Sequence, residues 1–177
     1  MPSKTVVGQG YSLNINVTAT NQGDYTETFN ITLYANTTTI KIEEITMTSR
    51  NSTAITFAWN TTGVPYGNYT ITATATQVQD ETDTTDNNLT NGWIMVTILG
   101  DVNGDLCVDV YDKVLVGAAF GATYNATDGM YWHMPPDYPG PCPYCPHTPN
   151  ADINGDDTVD IFDKVIVGYH FGEGICP

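Results

Sequence analysis

Positive charge is what this chain has least of. Five Lys and Arg stand against 20 Asp and Glu in 177 residues, a formal net charge of −15. A surface of that sign repels polyanions, so nucleic acid and an anionic membrane are excluded as partners. Long apolar runs are missing as well: none approaches the ~20 residues that cross a bilayer, and Met1-Pro-Ser-Lys4 opens no signal-peptide core. Direct membrane insertion is not expected. Histidine is limited to three residues, and there is neither a Ser-His-Asp arrangement with a supporting motif nor a phosphate-cradling glycine loop. The chain is therefore not expected to be an enzyme. Apolar residues are not scarce: at 41% they suffice for packed cores.

One segment is written twice. Asp101-Val-Asn103-Gly-Asp105 and Asp152-Ile-Asn154-Gly-Asp156 lie 51 residues apart, and each continues with two further Asp residues in the same register. Calcium takes six to eight oxygen ligands, which a tight turn supplies from loop positions 1, 3, 5, 7, 9 and 12. The first copy offers Asp101, Asn103, Asp105, the Cys107 carbonyl, Asp109 and Asp112. The second offers Asp152, Asn154, Asp156, the Thr158 carbonyl, Asp160 and Asp163. Asp, Asn and Gly also make ordinary turns, but two copies in identical register are a far stronger signal than one. Eight of the chain's acids are accounted for in this way. Two bound ions would offset part of the negative charge.

Each loop runs into an apolar periodic segment. Tyr111, Val114, Leu115 and Ala118 match Phe162, Val165, Ile166 and Tyr169 at the spacing of one helix face. Gly121 and Gly172 follow, where a left-handed helix end favours glycine. Val108 and Val159, each at the eighth loop position, can turn inward and let the two loops pair back to back.

This arrangement resembles the dockerin module, two loop-helix repeats built on EF-hand-like loops that bind one calcium ion apiece. The resemblance covers residues 100–121 and 151–173, with 122–150 as an insert, and it implies two calcium ions held by the ligands just named. In dockerins that bind cohesins, the tenth and eleventh loop positions recognise the partner; here they are Val110, Tyr111, Ile161 and Phe162. Two departures stand out. The sixth position, where the family pattern has glycine, carries Leu106 and Asp157. Leucine in a left-handed conformation costs roughly 1–2 kcal/mol, so the first site is expected to bind calcium more weakly. The insert also exceeds ordinary loop length.

Residues 1–99 follow a different period. Leu13, Ile15 and Val17 alternate with polar residues, as do Phe29-Ile31-Leu33, Ile55-Phe57-Trp59 and Tyr69-Ile71-Ala73, the pattern of half-buried strands. The phase slips between Ile40-Ile42 and Ile45-Met47, which places a bulge or turn near Glu43-Glu44. About seven such strands with Gly, Asn and Pro turns describe an immunoglobulin-like antiparallel β-sandwich without core cysteines. The run from Phe57 through Thr62-Gly-Val-Pro-Tyr-Gly67 to Ile71, with the Asp80–Asn88 stretch, resembles the CARDB domain of cell-adhesion-related proteins. The expected chain is thus mainly β, with a sandwich at 1–99 and a small α unit of two EF-hand-like repeats at 100–177.

Asn-X-Ser/Thr sequons occur at Asn16, Asn30, Asn36, Asn51, Asn60, Asn68, Asn88 and Asn125, a density that fits an extracellular, cell-surface or secreted protein. Four cysteines allow three pairings, and export favours oxidation of all four. Dockerin-like pairing of the repeats would bring the chain end near the first loop, which implies Cys107–Cys176 and Cys142–Cys145; the alternative ties the insert to both repeats. Cys142-Pro-Tyr-Cys145 has the spacing of a redox dithiol, but its proline-rich loop lacks the helix N-terminus that such chemistry needs. Zinc held with His133 and His147 fits no standard spacing.

Three roles follow. The first is a calcium-binding adhesion module that docks a protein, cohesin-like or a second copy, through Val110, Tyr111, Ile161 and Phe162. The second is a self-assembling filament or layer in which Lys4-Thr-Val-Val7 adds to a neighbour's sheet edge. The third is carbohydrate binding by Tyr131, Trp132, Tyr138 or Tyr144.

Overall fold

A computed structural model describes residues 2–124, 132–133 and 148–176. The chain is mainly β. Seven strands precede the first loop: β1 (Val6–Gly8), β2 (Ser12–Thr20), β3 (Glu27–Ala35), β4 (Thr38–Met47), β5 (Ser52–Asn60), β6 (Gly67–Ala75) and β7 (Asn88–Thr97). They form a sheet of order β1-β7-β6-β3-β4 and a separate β2-β5 pair. Beyond them come α1 (Val110–Ala118), the short strands β8 (Thr123–Tyr124) and β9 (Trp132–His133), α2 (Thr148–Ala151) and α3 (Ile161–Tyr169). Among the described residues no helix is long and apolar enough to cross a membrane.

The residues divide into two compact units, and the division does not fall at residue 99. One comprises Asn14–Trp59 and Asn68–Ile94 with the residues before Lys4. The other comprises Lys4–Leu13, Asn60–Gly67 and the chain from Met95 onward. Hydrogen bonding explains the grouping: β1 runs parallel to the end of β7, with Val6 opposite Met95 and Gly8 opposite Thr97. Thr61 is fully buried, and its hydroxyl bonds the Gly8 and Tyr11 carbonyls at 3.1 and 2.7 Å.

In the first unit, alternation sets the layers. Ile15, Ile31, Leu33, Phe57, Trp59, Ile71 and Ala73 are all buried, as period two requires. Antiparallel β3 pairs β4 from Glu27 opposite Met47, and β6 from Ile31 opposite Ala75. Asn36 takes a left-handed φ of 54° in the two-residue turn between β3 and β4, a conformation asparagine tolerates. The bulge does not fall at Glu43-Glu44, which pair in register with Ile31 and Asn30. It falls at Ile40, between the Lys41–Leu33 and Thr39–Tyr34 pairs. That extra residue turns Ile42 outward, 58% exposed, and restores the inward phase from Glu43 to Met47.

In the second unit the helix faces are rotated by one residue from the expected stripe. Asp112, Leu115, Val116 and Ala119 are the buried set on and just after α1, and Asp163 and Val167 are buried on α3. Tyr111, Val114, Phe162, Val165 and Tyr169 are instead exposed. The reason is that one aspartate in each helix is an inward-facing residue, which a hydropathy pattern scores as outward. The core gathers Val102, Val108, Leu115, Val116, Ile153, Val159 and Val167, with Trp132 packed against it.

Val108 and Val159 turn inward, both fully buried in the same core, but the backbone pairing of the loops is with other partners. Each pairs with the segment leaving the other repeat's helix: Gly121 donates to the Val159 carbonyl at 2.8 Å and Val159 to Ala122 at 2.9 Å. Reciprocally, Gly172 donates to Val108 at 2.7 Å and Val108 to Glu173 at 3.0 Å. Gly121 and Gly172 have φ of 85° and 86°, so a side chain at either turn would be strained.

Candidate metal centres

Each loop is organised by the first and last of its aspartates. Asp101 Oδ1 accepts from Gly104 N at 2.7 Å and Asp105 N at 3.3 Å, while its Oδ2 accepts from Leu106 N at 2.8 Å. Asp152 does the same with Gly155 at 2.8 Å, Asp156 at 3.2 Å and Asp157 at 3.2 Å. Asp112 closes the first loop: Oδ1 accepts from Val102 N at 2.8 Å and Asn103 N at 3.3 Å, and Oδ2 from Asp109 N at 2.8 Å. Asp163 repeats this with Ile153, Asn154 and Asp160 at 2.7, 3.3 and 2.8 Å. The ninth residues, Asp109 and Asp160, are the helix N-caps and form capping boxes with Asp112 and Asp163.

The middle ligand candidates also correspond. Asn103 Nδ2 donates to Asp105 Oδ2 at 2.8 Å, as Asn154 does to Asp156 at 2.8 Å. Asp105 Oδ1 accepts from Cys107 N at 2.9 Å and Asp156 Oδ1 from Thr158 N at 3.0 Å. Leu106 and Asp157 hold φ of 69° and 67°. The left-handed sixth position is thus present in both loops, with leucine strained in the first.

Asp101, Asp112, Asp152 and Asp163 are buried, at 4%, 0%, 3% and 0% exposure. Burial raises the pKa of all four above the ordinary carboxylate range, and the amide hydrogen bonds only partly oppose it. Carboxylate repulsion adds to the rise, from Asp105 on Asp101 and from Asp101 on Asp112. Four buried carboxylates create a need for positive charge, which buried Lys4 meets in part at Asp152. Lys113 and Lys164, next to Asp112 and Asp163 in sequence, instead lie 3.6 Å from the rings of Phe171 and Phe120.

The donor set is all oxygen, and its chemistry fits a hard divalent cation such as calcium. The side chains are closed onto backbone amides and one another. Among the described residues, no group of three or more His, Cys, Asp or Glu side chains stands close enough together to hold a metal ion.

Cys107 and Cys176 form a disulfide across 69 residues, with Cα atoms 4.9 Å apart. The exit strand makes this geometry available: Cys107 bridges Gly174, and Ile175 N donates to Leu106 O at 2.9 Å. Gly174 has a φ of 100°, and a Cβ there would lie 2.1 Å from the Leu106 carbonyl oxygen. Cys142, Cys145, His147, Tyr131, Tyr138, Tyr144 and Asn125 lie outside the described residues. Trp132 is half-buried, its ring 5.7 Å from that of Tyr124, so it is committed to packing. The remaining sequon residues are exposed, apart from half-buried Asn30. Val110, Tyr111, Ile161 and Phe162 are more than half exposed at matching places on the two repeats. The Lys4–Val7 segment is not a free strand, since Val6 and Val7 are buried and paired with β7 of the same chain.

Sequence reasoning missed two features. The lysine-phenylalanine stacks were signalled by the repeated Asp-Lys and Phe-Gly dipeptides at 112–113, 120–121, 163–164 and 171–172. The burial of Lys4, 7% exposed beside Asp152, had no sequence signal.

No family model matches the chain, and no curated protein matches its sequence. Several solved structures are similar over about half of it. The CARDB domain of a Pyrococcus furiosus protein, crystallised in complex with di-metal ions, is 23% identical over 54% of this chain and 82% of its own, with a TM-score of 0.47. A Methanosarcina acetivorans domain assigned to a cell surface protein is 23% identical over 54% of this chain and 84% of its own, with a TM-score of 0.43. A Listeria innocua beta-glucosidase is 12% identical, with 52% of this chain covering 14% of that one at a TM-score of 0.41.

Proposed function

We propose that this chain is a non-enzymatic, calcium-binding module of an extracellular, cell-surface or secreted protein. Residues 100–121 and 151–173 act as a dockerin-like pair that binds two calcium ions. Asp101, Asn103, Asp105, the Cys107 carbonyl, Asp109 and Asp112 hold one ion, and Asp152, Asn154, Asp156, the Thr158 carbonyl, Asp160 and Asp163 hold the other. Calcium adds positive charge at the buried aspartates, and it ties each loop to the start of its helix. The observation that carries this reading is the correspondence of the two loops, amide hydrogen bond for amide hydrogen bond, around a pair of buried carboxylates in each; the side-chain donors differ, Thr97 on Asp101 in the first loop and Lys4 on the Asp152 carbonyl in the second. Ordinary acidic turns have no reason to bury the first and twelfth residues alike in both copies.

Val110, Tyr111, Ile161 and Phe162 extend from these loops as the surface that docks a partner protein. Their exposure on an otherwise strongly acidic chain supports that role. Native mass spectrometry tests the calcium reading. The wild-type chain should carry two calcium ions, and Asp101→Ala and Asp152→Ala should each carry one. A wild-type chain that carries none at millimolar calcium would leave these aspartates as organisers of backbone amides alone.

A further inference from the structure

Among the described residues, a lysine side chain reaches the second loop and no lysine hydrogen bond is made to the first. Lys4 donates its ammonium to the Asp152 carbonyl. The adjoining backbone is fixed by Asn150, whose Oδ1 accepts from Thr5 N at 3.0 Å and Val6 N at 3.1 Å and whose Nδ2 donates to Thr5 Oγ1 at 3.3 Å. Pairing of β1 with β7 holds the same segment. Burial is the largest influence and leaves the Lys4 pKa below its ordinary value, against the opposing pull of the Asp152, Asp163, Asp157 and Asp156 carboxylates. The charges that act on Asp101 and Asp112 are carboxylates.

On the calcium reading above, we propose that Lys4 is a built-in counter-cation of the second loop, so that this loop binds a divalent cation more weakly than the first. This reverses the order expected from Leu106. Leu106 already holds its left-handed φ with its amide on Asp101, so the strain is incurred before any ion arrives and does not discount affinity. The repulsion between Lys4 and an arriving cation does.

The test is calorimetric titration of the full chain with calcium. Asp101→Ala leaves the second loop to be read alone, and Asp152→Ala leaves the first. Lys4→Met and Lys4→Gln, added to Asp101→Ala, should each raise calcium affinity about tenfold, equivalent to ~1.4 kcal/mol. Added to Asp152→Ala, they should change it less than twofold. Unchanged or weakened second-loop binding would overturn the proposal, as would a second loop that binds as tightly as the first.

Amine-reactive labelling of the wild type in chelator needs no variant. Lys4 should be protected while Lys41, with its side chain 50% exposed, reacts. Rapid labelling of Lys4 would sink the counter-cation and leave the calcium reading standing. Protection without calcium heat in any variant would sink the calcium reading, and the affinity difference with it.

Discussion

Asp112→Asn separates the two things the buried loop carboxylates could do. Asp112 accepts three backbone amides, from Val102 and Asn103 on one oxygen and from Asp109 on the other. Asparagine keeps one acceptor and turns an amino group toward the remaining donor. It thereby forfeits one or two hydrogen bonds to a charged acceptor, each worth about 1.5–3 kcal/mol. Relief of a buried charge offsets part of this loss, because burial already raises the Asp112 pKa. In chelator the net cost should therefore be small, about 1–2 kcal/mol.

In calcium a second loss is added. A site saturated a hundredfold above its dissociation constant stabilises the folded chain by about 2.7 kcal/mol, and the variant gives that up. Urea unfolding followed by circular dichroism, with the disulfide intact, measures both. The expected result is a destabilisation larger in calcium than in chelator by about 2–3 kcal/mol. An equal cost in both conditions would refute the reasoning and make Asp112 a capping carboxylate only.

Two further outcomes follow from the same geometry. In chelator, Asp101, Asp112, Asp152 and Asp163 hold their protons more tightly folded than unfolded, since their pKa values are raised above 3.8. Their contribution to stability is present below that value and is lost as pH rises through the folded pKa values. Thermal melts in chelator should therefore rise on mild acidification and in calcium should fall, because protons displace the ion; the same sign in both would contradict the account. Gly174→Ala places a Cβ against the Leu106 carbonyl at a φ of 100° and should cost about 2–4 kcal/mol in strain and a lost hydrogen bond. A thermal melt reads the first effect and a free-thiol assay should show incomplete Cys107–Cys176 closure; wild-type values in both would refute it.

How far the sequence spoke for the fold depends on the kind of pattern. Period two was enough to place Ile15, Leu33, Phe57 and Ile71 in the core, because alternation is a direct consequence of strand geometry. It misplaced the β4 bulge by three residues, since only the register with β3 shows that Ile40, not Glu43, is the extra residue. The helix stripe was read one residue early because Asp112 and Asp163 count as polar, although loop closure turns them inward. The paired loops were legible as a repeat in identical register. Their cross-pairing with Gly121 and Gly172 was not, because it joins residues far apart in sequence, Gly121 with Val159 and Gly172 with Val108. Lys4 beside Asp152 was hidden for the same reason.

The most direct test of the central claim is a calcium titration of the isotope-labelled chain followed by amide nuclear magnetic resonance. The amides of Gly104 and Gly155 donate to Asp101 and Asp152, so each reports its own loop. Both should move, with a total stoichiometry of two ions. If neither moves at millimolar calcium, the loops are acidic turns and the account of them as paired calcium sites is wrong.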